Sequence, residues 1–168
     1  MFFKNKNFQI SFFSFGMPII IYLLMIKLNM LLADPKMSDY WALGEHFYNF
    51  WSFEGFGYTV RTYPASLYQA VLRFIVGGDI YYALFLQTLI YCLSLYYFIK
   101  AYFDLIPKWA FLLIGSSPLL MYILNTYNAE PLQLTLYLFM LAVGKKFIDT
   151  KQTKYFIIML FFGSLMYA

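Results

Sequence analysis

Residues 34–79 contain most of the side chains that could perform chemistry in this otherwise apolar chain. Asp39 is the first candidate, because a carboxylate can accept a proton from a hydroxyl or an amine, or bind a divalent cation. Arg61 and Tyr63 follow in the sequence Arg-Thr-Tyr-Pro, and a guanidinium has the fork geometry that holds a phosphate group. An enzyme that acts on a phosphate-linked substrate would need both a carboxylate for acid–base catalysis and an arginine that binds the phosphate.

Each candidate residue also has a purely structural explanation. The helix dipole favours an acid at a helix start, which would account for Asp39 and for Glu130 beside Pro131. Glu130 could instead face a cavity, since acids beside membrane spans are costly and usually do so. Arg61 could bind lipid headgroups, and His46, the only histidine, could pack on an interfacial helix or act as a ligand or proton-transfer group. The residue types alone leave these alternatives open.

Several common catalytic motifs do not occur in the sequence. With one histidine and one cysteine, the chain has no cluster of the residues that bind zinc. It has no Ser-His-Asp arrangement, no P-loop and no dinucleotide-binding glycine pattern. Cys92 lies within an apolar run, so we predict that it packs in a core and forms no disulfide within the chain.

The composition is that of an integral membrane protein. Hydrophobic residues make up 62% of the chain and charged residues 12%, with a mean hydropathy of +0.65, whereas soluble proteins carry about 25% charged residues. A helix needs about 20 apolar residues to cross a bilayer. We predict a fifth span that begins at Tyr155 and four complete spans at residues 7–26, 80–99, 109–129 and 131–148.

The fifth apolar segment is still apolar at Ala168, where the sequence stops. A helix of about 14 residues reaches only about 21 Å, which is less than the roughly 30 Å of hydrocarbon in a bilayer. We therefore expect a truncated gene product or a partial record. In this interpretation residues 1–168 are a single N-terminal membrane domain fragment, and its outer loop, residues 34–79, carries the candidate site.

The distribution of charge predicts an orientation. Lysines dominate one set of predicted loops, which includes a basic cytoplasmic loop at residues 145–154, and Lys and Arg near span ends stay on the cytoplasmic side. We predict a cytoplasmic N-terminus in a bacterial inner membrane, with the first span kept as an anchor because it is longer than the apolar region of a signal peptide. This topology explains the net charge of +4 without a nucleic-acid partner. The lysines on the predicted cytoplasmic side are Lys4, Lys6, Lys100, Lys108, Lys145, Lys146, Lys151 and Lys154.

Two short amphipathic helices are predicted in the outer loop. Between residues 38 and 51, aromatic side chains recur with helical periodicity on one face, and Asp39 and His46 lie on another. Pro64 suits the first turn of a second helix, residues 65–76. The first helix would lie at the membrane surface, and the second is too short to span and would be interfacial or re-entrant.

In this order, the elements resemble the GT-C class of membrane glycosyltransferases, in particular its protein-mannosyltransferase-like and aminoarabinose-transferase-like branch. Residues 38–47 are similar to the family's Ser-Asp…Ala…Leu pattern. Residues 61–67, Arg-Thr-Tyr-Pro-Ala-Ser-Leu, are similar to its Arg-x-Pro-Gly-Tyr-Pro-x-x-Leu turn but lack the Pro-Gly. Residues 128–132, Asn-Ala-Glu-Pro-Leu, are similar to its Thr-Glu-x-Leu entry into the fourth span.

The resemblance implies an all-α, polytopic helical bundle of about five spans with two juxtamembrane amphipathic helices. The donor would be a polyprenyl-phosphate-linked sugar, the acceptor a lipid, glycan or protein, and membrane lipids would be further partners. Asp39 would be the catalytic base, with assistance from a divalent cation as an option. Arg61, Tyr63, His46 and Glu130 would bind substrate.

Three other interpretations compete with a glycosyltransferase. A polymerase-like membrane protein of envelope polysaccharides is also rich in aromatic residues, but its main polar loop would come late in the chain. A transporter fragment would have spans broken at matched positions, and residues 115–118, Gly-Ser-Ser-Pro, form one such break without a visible partner. An inactive truncated remnant is the third interpretation.

Overall fold

The computed structural model describes residues 5–28, 39–50, 63–117 and 129–167, and within these ranges the protein is helical and has no strand. Three helices, at Lys6–Lys27, Tyr81–Tyr102 and Glu130–Thr150, are long and apolar enough to cross a membrane. In chain order the helices are α1 (Lys6–Lys27), α2 (Asp39–Phe50), α3 (Tyr63–Val76), α4 (Ile80–Tyr102), α5 (Lys108–Ser116), α6 (Glu130–Thr150) and α7 (Thr153–Tyr167).

The three membrane-length helices coincide with the first, second and fourth predicted spans. Helix α5 begins where the third span was expected and ends at Ser116, because the residue that precedes a proline, here Pro118, avoids helical geometry. The rest of that span lies outside the described residues. Helix α7, with 15 residues, occupies the position of the fifth span, so the number of five spans stays a prediction.

The expected basic loop at residues 145–154 is mostly helical, and this part of the prediction was wrong. Helix α6 continues to Thr150, and α7 already begins at Thr153. Lys145 and Asp149 form an ion pair one turn apart on α6, which supports the last turns of the helix. The turn is made at Lys151, which adopts a left-handed φ of 56° and caps the helix through its backbone N–H.

Helix α1 runs antiparallel to α4. Tyr22 contacts Phe85, and Phe15 contacts Tyr96, with ring centroids 5.9 and 6.1 Å apart. An ion pair between Lys6 and Asp104 closes one end of this interface. Within α1, residues Phe12–Gly16 form a π-helical turn. Gly115 of α5 packs there so closely that a Cβ on it would lie 2.6 Å from the Phe13 carbonyl oxygen.

Helix α6 packs beside α4 in the parallel direction, and α7 returns antiparallel along α6. The Tyr102 hydroxyl donates to the Leu141 carbonyl oxygen at 3.2 Å. The α6–α7 pair is joined by ring contacts at 5.7 and 5.5 Å. The pairs are Phe139 with Phe162, and Phe147 with Phe156.

The core lies along α4, with α1, α5 and α6 around it. Tyr91, Cys92, Leu95 and Ile99 are fully buried, as predicted for the cysteine. Many large apolar side chains of the membrane-length helices are instead exposed, among them Leu23 and Leu24. An exposed apolar surface of this extent fits a protein that is covered by lipid.

All the described lysines except Lys27 gather where α4 and α6 end, which we call the lysine-rich end. Lys6 and Lys108 both lie over the Phe103 ring, at 5.1 and 5.6 Å from its centroid. Lys100, Lys145 and Lys146 border one cavity there. The first turn of α4 and the short helices α2 and α3 lie towards the opposite end. The structure thus shows the charge asymmetry on which the predicted orientation depends.

Candidate functional site

Helices α2 and α3 pack tightly against each other. Each begins at a predicted site residue, α2 at Asp39 and α3 at Tyr63. Gly44 is buried against α3. A Cβ on Gly44 would lie 2.9 Å from the Gln69 Cβ and 3.1 Å from both the Ala70 nitrogen and the Ser66 oxygen. Only glycine allows the two backbones to approach this closely, so Gly44 sets the distance between the helices.

An ion pair joins the same two helices. Arg73 Nη1 of α3 lies 3.3 Å from Glu45 Oε1 of α2. The Arg73 side chain is only 6% exposed, whereas that of Glu45 is 55% exposed. A buried guanidinium needs a countercharge because its removal from water costs several kcal/mol, on the order of the penalty for any buried ion. Glu45 supplies that countercharge, and its own side chain stays more than half exposed on the protein surface.

A buried amide pair connects α3 to α4. The Gln69 Nε2 amide donates to Gln87 Oε1 at 3.2 Å, and both side chains are fully buried. Thr88 lies beside Gln87, and its hydroxyl donates to the Leu84 carbonyl oxygen of the preceding turn at 3.0 Å. Gln69 is one turn before Arg73, so the amide and the guanidinium lie on the same face of α3. We call Glu45, Ser66, Gln69, Arg73 and Gln87 the polar cluster.

Some buried polar atoms next to these contacts have no hydrogen-bond partner among the described residues. They are the Ser66 hydroxyl oxygen, the Tyr68 hydroxyl and Gln69 Oε1. Burial also raises the pKa of Tyr68, so this hydroxyl keeps its proton and can donate a hydrogen bond. Buried polar atoms in proteins are almost always hydrogen-bonded. The polar cluster can therefore accept further polar groups.

The other side of α3 forms an apolar groove with α2. The groove has a volume of about 230 Å³ and is lined by Phe47, Tyr48, Leu67, Ala70, Val71 and Phe74. Leu67, Val71 and Phe74 are exposed and follow one another along one face of α3. The α2–α3 pair thus presents an apolar groove close to a charged and amide-rich cluster.

The predicted site residues are described to different extents. Helix α2 begins at Asp39 and α3 at Tyr63, but the two side chains, and the whole of Arg61, lie outside the described residues. His46 is half-buried on α2, next to Glu45 in the sequence. Asp39 and His46 are thus confirmed to share one helix.

Glu130 lies apart from the polar cluster in the described contacts. It is the exposed first residue of α6, and Pro131 follows it in the first turn as predicted. Helix α6 packs mainly against α4 and α7, whereas α2 packs mainly against α3. A role for Glu130 in the same site stays a prediction.

Arg73, Gln69 and Gln87 are the site residues that sequence reasoning missed. Arg73 falls within the predicted second helix of the outer loop, residues 65–76, but was not among the candidate site residues. Its signal in the sequence is the run Val-Leu-Arg-Phe-Ile at residues 71–75, since a charge within an apolar helix face needs a buried partner. Ser66, Gln69 and Arg73 recur at helical spacing, which also marks a polar face on α3.

The described residues contain no group of three or more His, Cys, Asp or Glu side chains that could hold a metal ion. Asp39 could supply one carboxylate ligand. Magnesium is commonly bound by one or two carboxylates together with substrate phosphates, so the phosphate of a bound substrate could supply further ligands.

Comparison of the chain with protein-family models, with curated proteins and with solved structures finds no match.

Proposed function

We propose that this protein is the N-terminal part of a GT-C-type membrane glycosyltransferase, which moves a sugar from a polyprenyl-phosphate donor to an acceptor. The observation that carries the proposal is the α2–α3 pair, where an apolar groove lies close to the polar cluster. A polyprenyl-phosphate sugar has the same two parts, an apolar chain and a polar head. The motif resemblance at residues 38–47, 61–67 and 128–132 supports the same class of enzyme.

The proposal includes a topology. The N-terminus is cytoplasmic in a bacterial inner membrane, and residues 109–129 and the segment from Tyr155 are the third and fifth spans. The lysine-rich end then faces the cytoplasm, in accord with the distribution of Lys and Arg near span ends. The α2–α3 pair lies on the outer face, where it meets the headgroups and a donor held in the membrane.

The proposed reaction is a displacement at the anomeric carbon of the donor sugar. The acceptor oxygen forms a bond to that carbon while the bond from the carbon to the phosphate oxygen breaks. The bonding electrons leave with polyprenyl phosphate, and the acceptor proton passes to the Asp39 carboxylate. Arg61 stabilises the negative charge on the departing phosphate.

The remaining proposed residues bind substrate. Tyr63, His46 and Glu130 hydrogen-bond the sugar or the acceptor. The Arg73–Glu45 ion pair holds α2 against α3 and so fixes the helix that begins at Asp39. A cation at Asp39 would take its further ligands from the donor phosphate. It would help Arg61 to stabilise the negative charge on the departing phosphate.

The test measures sugar transfer in membranes that contain the protein as expressed from its own gene. The donor is a radiolabelled polyprenyl-phosphate sugar, and membranes from a strain without the gene are the background. Asp39→Asn should lower the transfer rate by at least about 100-fold, as expected for the loss of a general base. Asp104→Asn, the same chemical change at the lysine-rich end, should leave the rate within about twofold.

Other outcomes would support the competing interpretations. Uptake of a labelled solute into vesicles that is insensitive to Asp39→Asn, without sugar transfer, would contradict the proposal and favour a transporter. Extension of a polysaccharide without consumption of a single-sugar donor would favour a polymerase-like protein. Absence of all three activities would favour an inactive remnant.

A further inference from the structure

The lysine-rich end contains a cavity of about 540 Å³ between α4, α6 and α7. A volume of this size lies within the range of about 300–1,000 Å³ that is typical of small-molecule sites. Its inner wall is apolar and includes Phe139 and Phe162, which stack with their centroids 5.7 Å apart. Its opening is bordered by charged side chains. The cavity is therefore amphipathic, with an apolar interior and a basic mouth.

Cations outnumber anions at the mouth of this cavity. Lys100, Lys145 and Lys146 line it, and Asp149 is the acid among its lining residues. Asp149 is paired with Lys145, so it neutralises part of the charge of one lysine. Lys146 Nζ lies over the Tyr155 ring, 4.9 Å from its centroid. The mouth thus keeps an excess of positive charge.

One further lysine, Lys154, lies outside the lining and reinforces this positive field. Lys154 Nζ lies 5.1 Å from the centroid of the same Tyr155 ring, so two ammonium groups are held near one aromatic side chain. The Lys100 Nζ lies 5.7 Å from the centroid of the Tyr96 ring. Such contacts between an ammonium and a ring face restrict the lysine, and because an ammonium has three N–H donors, one contact with a tyrosine does not use them all.

We propose that this cavity binds one anionic phospholipid, with its phosphate headgroup at Lys100 and Lys146 and one acyl chain against the aromatic wall. The position supports a lipid, because the mouth lies where two membrane-length helices, α4 and α6, end and where headgroups would lie. Basic pockets between membrane helices bind anionic headgroups through this combination of charge and apolar contact. The site is on α4, α6 and α7, so it does not depend on the proposed sugar transfer.

A free phosphate ion would present the same headgroup chemistry to these lysines. The apolar wall decides between the two ligands, because Phe139, Phe162 and Ile158 offer nothing to an inorganic anion. An acyl chain seated against this wall makes van der Waals contacts that an inorganic anion cannot make, and these contacts add to the affinity. We therefore expect the lipid to bind and inorganic phosphate to bind only weakly.

The experiment is a lipid titration of the purified protein, followed by native mass spectrometry. The probes are short-chain phosphatidylglycerol, the zwitterionic phosphatidylcholine with the same chains, and inorganic phosphate. We expect phosphatidylglycerol to bind at least about tenfold more tightly than phosphatidylcholine. Each lysine near an anionic headgroup contributes about fivefold to affinity, so Lys100→Gln with Lys146→Gln should weaken binding by about 25-fold.

The controls separate this site from general attraction to a basic surface. Lys108→Gln with Lys151→Gln removes the same charge from exposed lysines at the same end that do not line the cavity, and should change affinity less than about twofold. Asp149→Asn removes the acid from the cavity and should strengthen phosphatidylglycerol binding by up to about fivefold. A gain of affinity cannot result from misfolding.

Three results would overturn the proposal. The first is equal binding of phosphatidylglycerol and phosphatidylcholine, and the second is an equal loss of affinity in the control variant. The third is displacement of phosphatidylglycerol by inorganic phosphate at similar concentrations, which would identify a free anion as the ligand. Loss of sugar transfer in any variant would bear on the proposed function and not on this site, since the readout is lipid mass.

Discussion

Replacing Gly44 with alanine should loosen the α2–α3 pair that carries the polar cluster. The added Cβ would lie 2.9 Å from the Gln69 Cβ and 3.1 Å from the Ser66 carbonyl oxygen, so the helices must separate by several tenths of an ångström. Overpacking costs about 1–3 kcal/mol, and backbone neighbours place this site in the upper half of that range. Alanine regains about 1 kcal/mol of helix propensity, which leaves a net loss of about 1–2 kcal/mol.

Hydrogen exchange of the purified protein in lipid nanodiscs would measure this loss locally. A net loss of about 1–2 kcal/mol corresponds to roughly 5- to 30-fold faster exchange of the amides that open with the pair. We expect the increase in α2 and α3. Exchange in α6 and α7 should not change, because Gly44 has no part in their packing. The same separation would lengthen the 3.3 Å contact between Glu45 and Arg73.

Gly163→Ala is the matched control, since it makes the same change within a helix that has more room. A Cβ on Gly163 would meet its nearest atom, Met140 Sδ, at 3.7 Å, which is an ordinary van der Waals distance. This variant should be unchanged or slightly stabilised. Unchanged exchange in α2 and α3 of the Gly44→Ala protein would refute the close packing of these helices, and equal effects of the two variants would show that glycine content alone matters.

Two further predictions concern single contacts. A double-mutant cycle of Gln69→Leu and Gln87→Leu should give a coupling energy of about 1 kcal/mol in unfolding experiments in detergent, the usual net value of a hydrogen bond; effects that add to within about 0.3 kcal/mol would show that the bond does not contribute. Lys151→Gly should stabilise the protein by about 1 kcal/mol and raise the Tm by a few degrees, because glycine adopts the left-handed φ of 56° without a Cβ penalty. Lys151→Ala, which keeps the Cβ, should not stabilise, and a gain equal to that of glycine would contradict this explanation.

The two ends of the bundle are chemically different, and the two proposals use this difference. Near the first turns of α4, a buried guanidinium and two amides lie close to a narrow apolar groove. At the other end, three lysines surround a wider apolar cavity. The first arrangement suits a substrate head that is recognised by hydrogen bonds, and the second suits a headgroup that is held by charge.

Local features of the fold could be predicted from the sequence because they depend on neighbours along the chain. Runs of apolar residues locate the membrane-length helices to within a few residues. Pro64 marks the first turn of α3. The third span was predicted to run through Pro118, whereas the described helix α5 ends at Ser116. The basic loop at residues 145–154 was mispredicted because charge was taken as a sign of a loop, whereas lysine is a good helix former and Lys145 pairs with Asp149.

The candidate site could be predicted only in part. The segment that begins at Asp39 was identified by its polar character, and its helix begins at that residue. The partner of Arg73 could not be found, because Glu45 is 28 positions away and the contact depends on how α2 and α3 are rotated against each other. The role of Gly44 could not be predicted for the same reason. A glycine in a helix indicates a close contact between two helices only when the helix that packs against it is known.

The sequence by itself determined a helical membrane-type chain, the positions of its longest helices, and the separation of lysines from acids along the chain. Only the tertiary structure decided that Arg73 meets Glu45, that Gln69 meets Gln87, and that lysines of α4 and α6 border one cavity. The physical reason is that apolar helices can pack through many faces when lipid is as apolar as their side chains. Hydropathy therefore indicates which segments are buried in the membrane, and interhelical packing selects which residues meet.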